Sequence, residues 1–182
     1  MSQPLPPEIK LDPDWQELRL PFNIGSGRSL YTGLEQANRL RLRVFRRKSD
    51  NVLVGRVWFG EGADGPPGHA HGGAIAYVLD EAMGSVGWMN DYPVVAAKLE
   101  FKYFRMTPLH VDLHVEARIK SETAKRLEIE ATLTMPDGQK CVMASAEFAV
   151  LTKTKAVGFM NPVADPQGFF QNPKLKWAPD AN

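Results

Sequence analysis

Between Leu40 and Val150 apolar and polar residues alternate with a period of two, and one stretch breaks the pattern. Leu40, Leu42 and Val44 alternate with Arg41 and Arg43. Val52, Val54 and the Val57–Phe59 run follow the turn signal Ser49-Asp50-Asn51. Ala97, Leu99, Phe101 and Tyr103 alternate with Lys98, Glu100 and Lys102. Val111 to Ile119 and Leu127 to Leu133 repeat the alternation, and Asp137-Gly138 marks a tight turn before Val142 to Val150. Alternation of this length predicts an antiparallel sheet with one buried face. The exception runs from Gly73 to about Trp88. There Ala74, Ile75, Val78, Leu79, Ala82, Met83, Val86 and Trp88 cover nearly every side of a helical wheel, and a helix that is apolar all round is a buried one. The order strand, strand, helix, four strands predicts an α+β fold in which a curved antiparallel sheet wraps around one long buried helix.

The ends differ from the middle. Pro4, Pro6, Pro7, Pro13 and Pro21 crowd the start, and Pro162, Pro166, Pro173 and Pro179 the end. Proline fixes φ and lacks an N–H, so neither stretch suits a sheet interior or a long helix. This divides the chain into an N-terminal arm (1–38), a central domain (39–152) and a C-terminal tail (153–182). Trp15, Phe169, Phe170 and Trp177 are costly to leave in water, so the arms are expected to drape over the domain or a partner chain. The net charge of +1 gives no bias toward nucleic acid or an anionic membrane. The single cysteine, Cys141, has no internal disulfide partner, and no run approaches the ~20 apolar residues of a membrane helix. With no signal-peptide core in its first residues, the chain reads as soluble and cytoplasmic.

Chemistry concentrates at the helix start. His71-Gly72-Gly73 opens the helix and Asp80 follows about two turns later. Exposed N–H groups at a helix start can hold a carbonyl oxygen as it becomes negative. A carboxylate in apolar surroundings can act as a base or nucleophile. Hydrolysis of an activated acyl group requires these two parts. At 1.5 Å per residue, Gly72 or Gly73 lies roughly 10–12 Å along the helix from Asp80. One helix is therefore poorly placed to present both to one carbon, whereas two antiparallel helices at a twofold axis can.

Each residue also has a plainer role. The glycines suit a tight turn and close packing. His71 suits capping or bracing the loop better than general-acid work. Asp80 could pair with an arginine, but an acid on an apolar helix is costly to bury without a use. Glu81, the rival acid, points about 100° away. His69 with His71, and His110 with His114 on one strand face, lack a third metal ligand, so no metal or other cofactor is expected. Lys98, Lys102, Arg105, Arg118 and Lys120 read mainly as a solvated face, with one or two left to touch phosphates.

The element order and the His-Gly-Gly helix start resemble the hotdog-fold acyl-CoA thioesterases, of the phenylacetate-pathway and thioesterase-superfamily-member type. The resemblance rests on Gly65-Pro66-Pro67-Gly68, His71 to Ala76, Asp80, and Tyr103-Phe104-Arg105-Met106-Thr107-Pro108-Leu109, and covers roughly residues 40–151. It implies an acyl-CoA substrate, no cofactor, and a homodimer or tetramer. It also implies an oxyanion N–H on Gly72 and Asp80 as base or nucleophile; the helix-start reading adds the Gly73 N–H, and Lys102 and Arg105 are the cations expected to touch coenzyme A phosphates. The family's water-orienting hydroxyl positions fall here on Ala96 and Gly84. Two alternatives stand beside this reading: a hotdog acyl-CoA hydratase or dehydratase, and a non-catalytic acyl-CoA-binding protein.

Overall fold

The computed structural model describes residues 4–18, 40–160 and 170–180. Pro21, Pro162, Pro166 and Phe169 lie outside the described residues. Seven strands form one sheet: β1 (Trp15–Glu17), β2 (Leu40–Arg47), β3 (Leu53–Phe59), β4 (Val94–Tyr103), β5 (Leu113–Glu122), β6 (Arg126–Thr134) and β7 (Lys140–Val150). The spatial order is β1-β2-β3-β5-β6-β7-β4, with every neighbouring pair antiparallel. The long helix α1 (Gly72–Met89) packs on the face carrying Leu40, Leu42, Leu53, Val57, Leu113, Val115, Leu127, Ile129, Ala144 and Phe148. This is the curved antiparallel sheet with one long helix that the alternation and its single break predict.

Three details depart from the sequence pattern. β5 starts at Leu113 rather than Val111 because His110 sits at φ 61, a left-handed turn, and Asp112 is drawn aside by arginines. His110 and His114 therefore do not share a strand. β4 carries a bulge at Ala97, so Ala96 pairs with Phe148 and Lys98 with Glu147. The extra residue puts Ala96, rather than Ala97, on the helix side.

The third departure concerns α1, which the sheet covers on one side only. Ile75, Val78, Leu79, Ala82, Met83 and Val86 are buried. Along the other side Gly73, Ala76, Tyr77, Asp80 and Gly84 stay exposed or half-exposed. β4, the last strand of the order, has no neighbour on its far edge among the described residues.

The N-terminal arm lies on the sheet face opposite the helix. Trp15 stacks on Phe45 at 5.3 Å, Pro6 is buried, and Lys48 donates to the Pro13 carbonyl at 2.6 Å. Beneath it Asp112 pairs with Arg41 at 2.9 Å and with Arg56. At the other end a short helix, α2 (Lys153–Met160), and residues 170–180 close over Ala156 and Leu175, with Phe170 stacked on Trp177 at 5.9 Å. The described parts of the proline-containing ends thus stay out of the sheet interior: β1 is a three-residue edge strand and α2 has eight residues.

Candidate active site

A backbone lattice fixes the loop before α1. His71 N donates to Ala63 O at 2.8 Å, Gly65 N to His69 O at 2.9 Å, and Ala70 N to Thr107 O at 2.8 Å. A Cβ on Gly65 would lie 2.8 Å from His71 Cα, so only glycine lets the loop fold this close. His71 is the N-cap, with extended backbone (φ −62, ψ 137). Its Nδ1 accepts the Gly73 N–H at 2.9 Å, which requires the neutral ring with the proton on Nε2. The His71 carbonyl accepts from Ala74 and Ile75. Among the described residues the Gly72 N–H has no acceptor. The helix start therefore offers one free donor, from Gly72, because His71 already holds the one from Gly73.

This free donor borders a cavity of about 310 Å³. Pro66, Ala70, Gly72 and Ile75 form one side, and the segment Tyr103 to Thr107 after β4 forms the other. The lip is apolar and open, with Tyr103, Phe104 and Met106 about half exposed. Tyr103 Oη donates to the Gly72 carbonyl at 3.0 Å, and desolvation pushes its phenol above the ordinary tyrosine value. Arg105 lines the cavity, and among the described residues its guanidinium bonds only neutral groups: Nε to the Lys140 carbonyl at 3.0 Å, and Nη1 to the Gln139 side chain. Lys102 lies apart from this lining, its ammonium 5.2 Å from the Phe104 ring centre. Of the two cations suggested by the sequence, the structure brings only Arg105 to the cavity. Tyr103 is the contact that the sequence reasoning missed as a site residue; its signal was its position as the last inward-parity residue of β4, where a strand end meets a helix start.

Asp80 is not part of that cavity. It lies eight residues beyond Gly72, about 12 Å along the axis, on the half-exposed stripe of α1. Nothing among the described residues bonds its carboxylate, and burial alone pushes its pKa above the ordinary value. Tyr77, one turn before, is pushed up to about 12 by desolvation and by the charges of Glu81 and Asp80. Gly84 and Ala96 converge on Phe148: a Cβ on Gly84 would meet its ring at 3.7 Å, and Ala96 is its strand partner.

Other candidates are absorbed by structure. His69 Nδ1 lies 2.8 Å from the Pro67 carbonyl, bracing the loop. Burial, with Arg56 nearby, holds His114 below the ordinary histidine range. No group of three metal-ligating side chains occurs among the described residues. A larger recess of about 360 Å³ opens on the far face of the sheet, but its charges neutralise one another, Arg47 with Asp50 and Glu116, and Arg118 with Glu130. No helix of the described residues is long and apolar enough to cross a membrane.

Residues 67–142 match the thioesterase superfamily model. Among solved structures, a thioesterase superfamily protein is 28% identical, with a TM-score of 0.57, over 60% of this chain and 53% of its own. This chain thus spans about half the length of that relative. A hypothetical thioesterase from Streptococcus pneumoniae with coenzyme A is 17% identical over 62% of this chain and 88% of its own, with a TM-score of 0.55. The PaaI protein of the Escherichia coli phenylacetic acid degradation operon is 10% identical over 64% and 82%, with a TM-score of 0.56. No curated protein matches in sequence. The helix wrapped by an antiparallel sheet shows the hotdog fold, and the match that runs from the loop before α1 into β7 makes this part of the chain similar to the thioesterase superfamily.

Proposed function

We propose that the protein hydrolyses an acyl-CoA thioester to the free acid and coenzyme A, in a site shared between two copies of the chain. One observation carries the reading. The helix-start cavity has a free N–H and no carboxylate, while Asp80 is a half-buried acid with no donor among the described residues, about 12 Å away on a stripe that those residues leave half-exposed. Antiparallel pairing of two α1 helices, with the β4 edges joined, sets the cavity of one subunit against Asp80 of the other.

In this arrangement the thioester carbonyl oxygen enters the cavity and accepts from the Gly72 N–H. Asp80 of the opposite subunit takes a proton from water as the water attacks the carbonyl carbon. The tetrahedral intermediate collapses, the C–S bond breaks, and the thiolate leaves to be protonated by solvent. Direct attack by the carboxylate, through an anhydride that water then opens, uses the same geometry. The Gly72 N–H stabilises the developing oxyanion. His71 keeps the bracing role that its bond to Gly73 gives it, and Gly73 serves by holding that bond rather than as a second donor. Arg105, charged and without a carboxylate partner among the described residues, suits a coenzyme A phosphate, with Lys102 further out on the same strand end. The coenzyme A in a Streptococcus pneumoniae structure and the acetyl-CoA in a Streptococcus mutans one, both of this fold, support the choice of thioester. We place the protein in the cytoplasm on the same reading.

Alanine at position 96 and glycine at position 84, in place of a hydroxyl that would orient a water, favour one competing reading, a binding protein without turnover. Release of free thiol from a panel of acyl-CoAs, measured for wild type and Asp80→Asn, separates the two. Hydrolysis that depends on Asp80 supports the proposal. Stoichiometric binding without thiol release supports the binder, and hydration of an enoyl-CoA would point to the hydratase class.

A further inference from the structure

Three hydrogen-bonding groups meet at the first turn of α1, and two of them hold one peptide unit. The Gly72 carbonyl accepts from Tyr103 Oη at 3.0 Å. The Gly73 N–H donates to His71 Nδ1 at 2.9 Å. These two backbone groups belong to the same planar unit, the Gly72–Gly73 peptide, so that plane is clamped at both ends by side chains from different segments. The next plane toward the N-terminus is the His71–Gly72 peptide, which carries the free N–H. Only the φ and ψ of Gly72 separate the two planes, and glycine is the residue that restrains them least. The plane of the free N–H is held at its other end by the His71 carbonyl, which accepts from Ala74 and Ile75, and the clamp adds a hold on the far side of the Gly72 joint.

We propose that Tyr103 is a positioning residue: by holding the Gly72 carbonyl, its hydroxyl fixes the direction of the neighbouring Gly72 N–H into the cavity. The inference rests on the thioesterase reading for its catalytic consequence, though the clamp stands without it. The tyrosine ring also lies along the one side of Gly72 where a side chain would project, its Oη 3.6 Å and its Cζ 3.8 Å from that position. The ring therefore walls the donor and the hydroxyl orients it. The raised phenol pKa keeps the hydroxyl protonated, and hence a donor, at neutral pH. A bond of this kind contributes only about 0.5–1.5 kcal/mol to stability. Its larger effect falls on a reaction that needs the donor within about 3 Å of an oxygen appearing only in the transition state.

Tyr103→Phe keeps the ring and removes the hydroxyl. The expected result is a kcat lowered about 10- to 100-fold, the scale for a misplacement near 1 Å, with KM within about twofold. In the same variant, protein labelled with ¹⁵N-glycine should show lower backbone order at the Gly72 and Gly73 amides and no change at Gly55, within β3. An unchanged kcat overturns the proposal. So does a raised KM with kcat intact, which would make Tyr103 a simple substrate contact. If wild type releases no thiol from any acyl-CoA, the functional reading fails and the amide measurement alone judges the clamp: unchanged order at Gly72 and Gly73 overturns it, and lost order supports it.

Discussion

Alanine at position 73 and alanine at position 72 make the same chemical change one residue apart, and the structure assigns them different outcomes. At 73 the new Cβ lies 3.0 Å from His71 Nδ1 and 3.2 Å from its Cε1. The imidazole must turn away, and the bond that caps α1 goes with it. Loss of an N-cap costs about 1 kcal/mol, within a range of roughly 0.5–2. Replacing glycine by alanine in a helix returns at most about 1 kcal/mol, and less in the first turn. The two effects offset at 73. At 72 the methyl meets only the Tyr103 hydroxyl at 3.6 Å, an ordinary contact, so the helix gain survives. Gly73→Ala should therefore be less stable than Gly72→Ala by about the value of the cap. That is a difference of roughly 2–4 °C in Tm for a chain of this size, and urea unfolding measures it directly. His71→Ala removes the same bond from its other end. If the cap is the cause, His71→Ala added to Gly73→Ala should cost almost nothing further, a coupling of about 1 kcal/mol in the double-mutant cycle. Strict additivity of the two substitutions would refute the account and leave the glycine at 73 unexplained.

Asp80→Asn should lower turnover by at least ~10²-fold while raising stability at neutral pH. Burial lifts the folded-state pKa of Asp80 above its unfolded value, so the folded chain binds the extra proton between the two values; stability falls as pH rises through that window and the cost stays above it. Thermal unfolding of the variant at pH 7 that shows a lower Tm would contradict this, and Glu81→Gln should affect turnover less. Gly72→Val and Asp80→Asn, each nearly inactive alone, should recover about a quarter of wild-type activity in one-to-one refolded mixtures, because half of randomly paired dimers are mixed and each has one intact site; tagged mixtures that exchange subunits yet stay inactive would put both groups in one chain. Asp112→Ala should cost about 3 kcal/mol, the lower end for breaking a buried ion pair, since it leaves Arg41 and Arg56, 14% and 21% exposed, without their carboxylate. Limited proteolysis should then cut within residues 4–18 faster than in wild type, because Arg41 also holds the Pro7 carbonyl.

The strands and the helix were legible because their periodicities differ and each is long. Period two across Leu127 to Leu133, or across Val142 to Val150, leaves one choice of buried face, and the structure buries that face. Local backbone events leave no such signature. The bulge at Ala97 reverses which alanine faces the helix, yet Ala96 and Ala97 are identical to a pattern reader. His110 adopts φ 61 without being glycine, which shortens β5 by two residues against the alternation. The His71-Gly72-Gly73 start and Asp80 stood out because glycine pairs and lone acids are unusual in an apolar run. Their division of labour did not, since it depends on the rotamer that sends His71 Nδ1 to Gly73. Tyr103 was hidden for a further reason: its partner is a backbone carbonyl 31 residues earlier, a contact that side-chain identity alone does not encode.

The uncovered stripe of α1 ties the proposed assembly to the proposed chemistry. Sequence places apolar residues around nearly the whole helix, and the sheet uses one side of them. The remaining side carries Ala76 and Gly84, small enough for a second helix to come close, with Asp80 between them. If a second copy covers this stripe, Asp80 loses further water on association. Desolvation disfavours the charged form, so association should raise its pKa further, and by linkage the carboxylate should weaken the dimer at neutral pH. The strength of the base is then a property of the pair rather than of the chain. Two consequences are measurable together by sedimentation across a dilution series: Asp80→Asn should dimerise more tightly than wild type at pH 7, and the difference should shrink as the pH falls through the wild-type Asp80 pKa. A variant that dimerises more weakly at pH 7 would mean that Asp80 makes a favourable contact across the interface, and the argument from its isolation would fail.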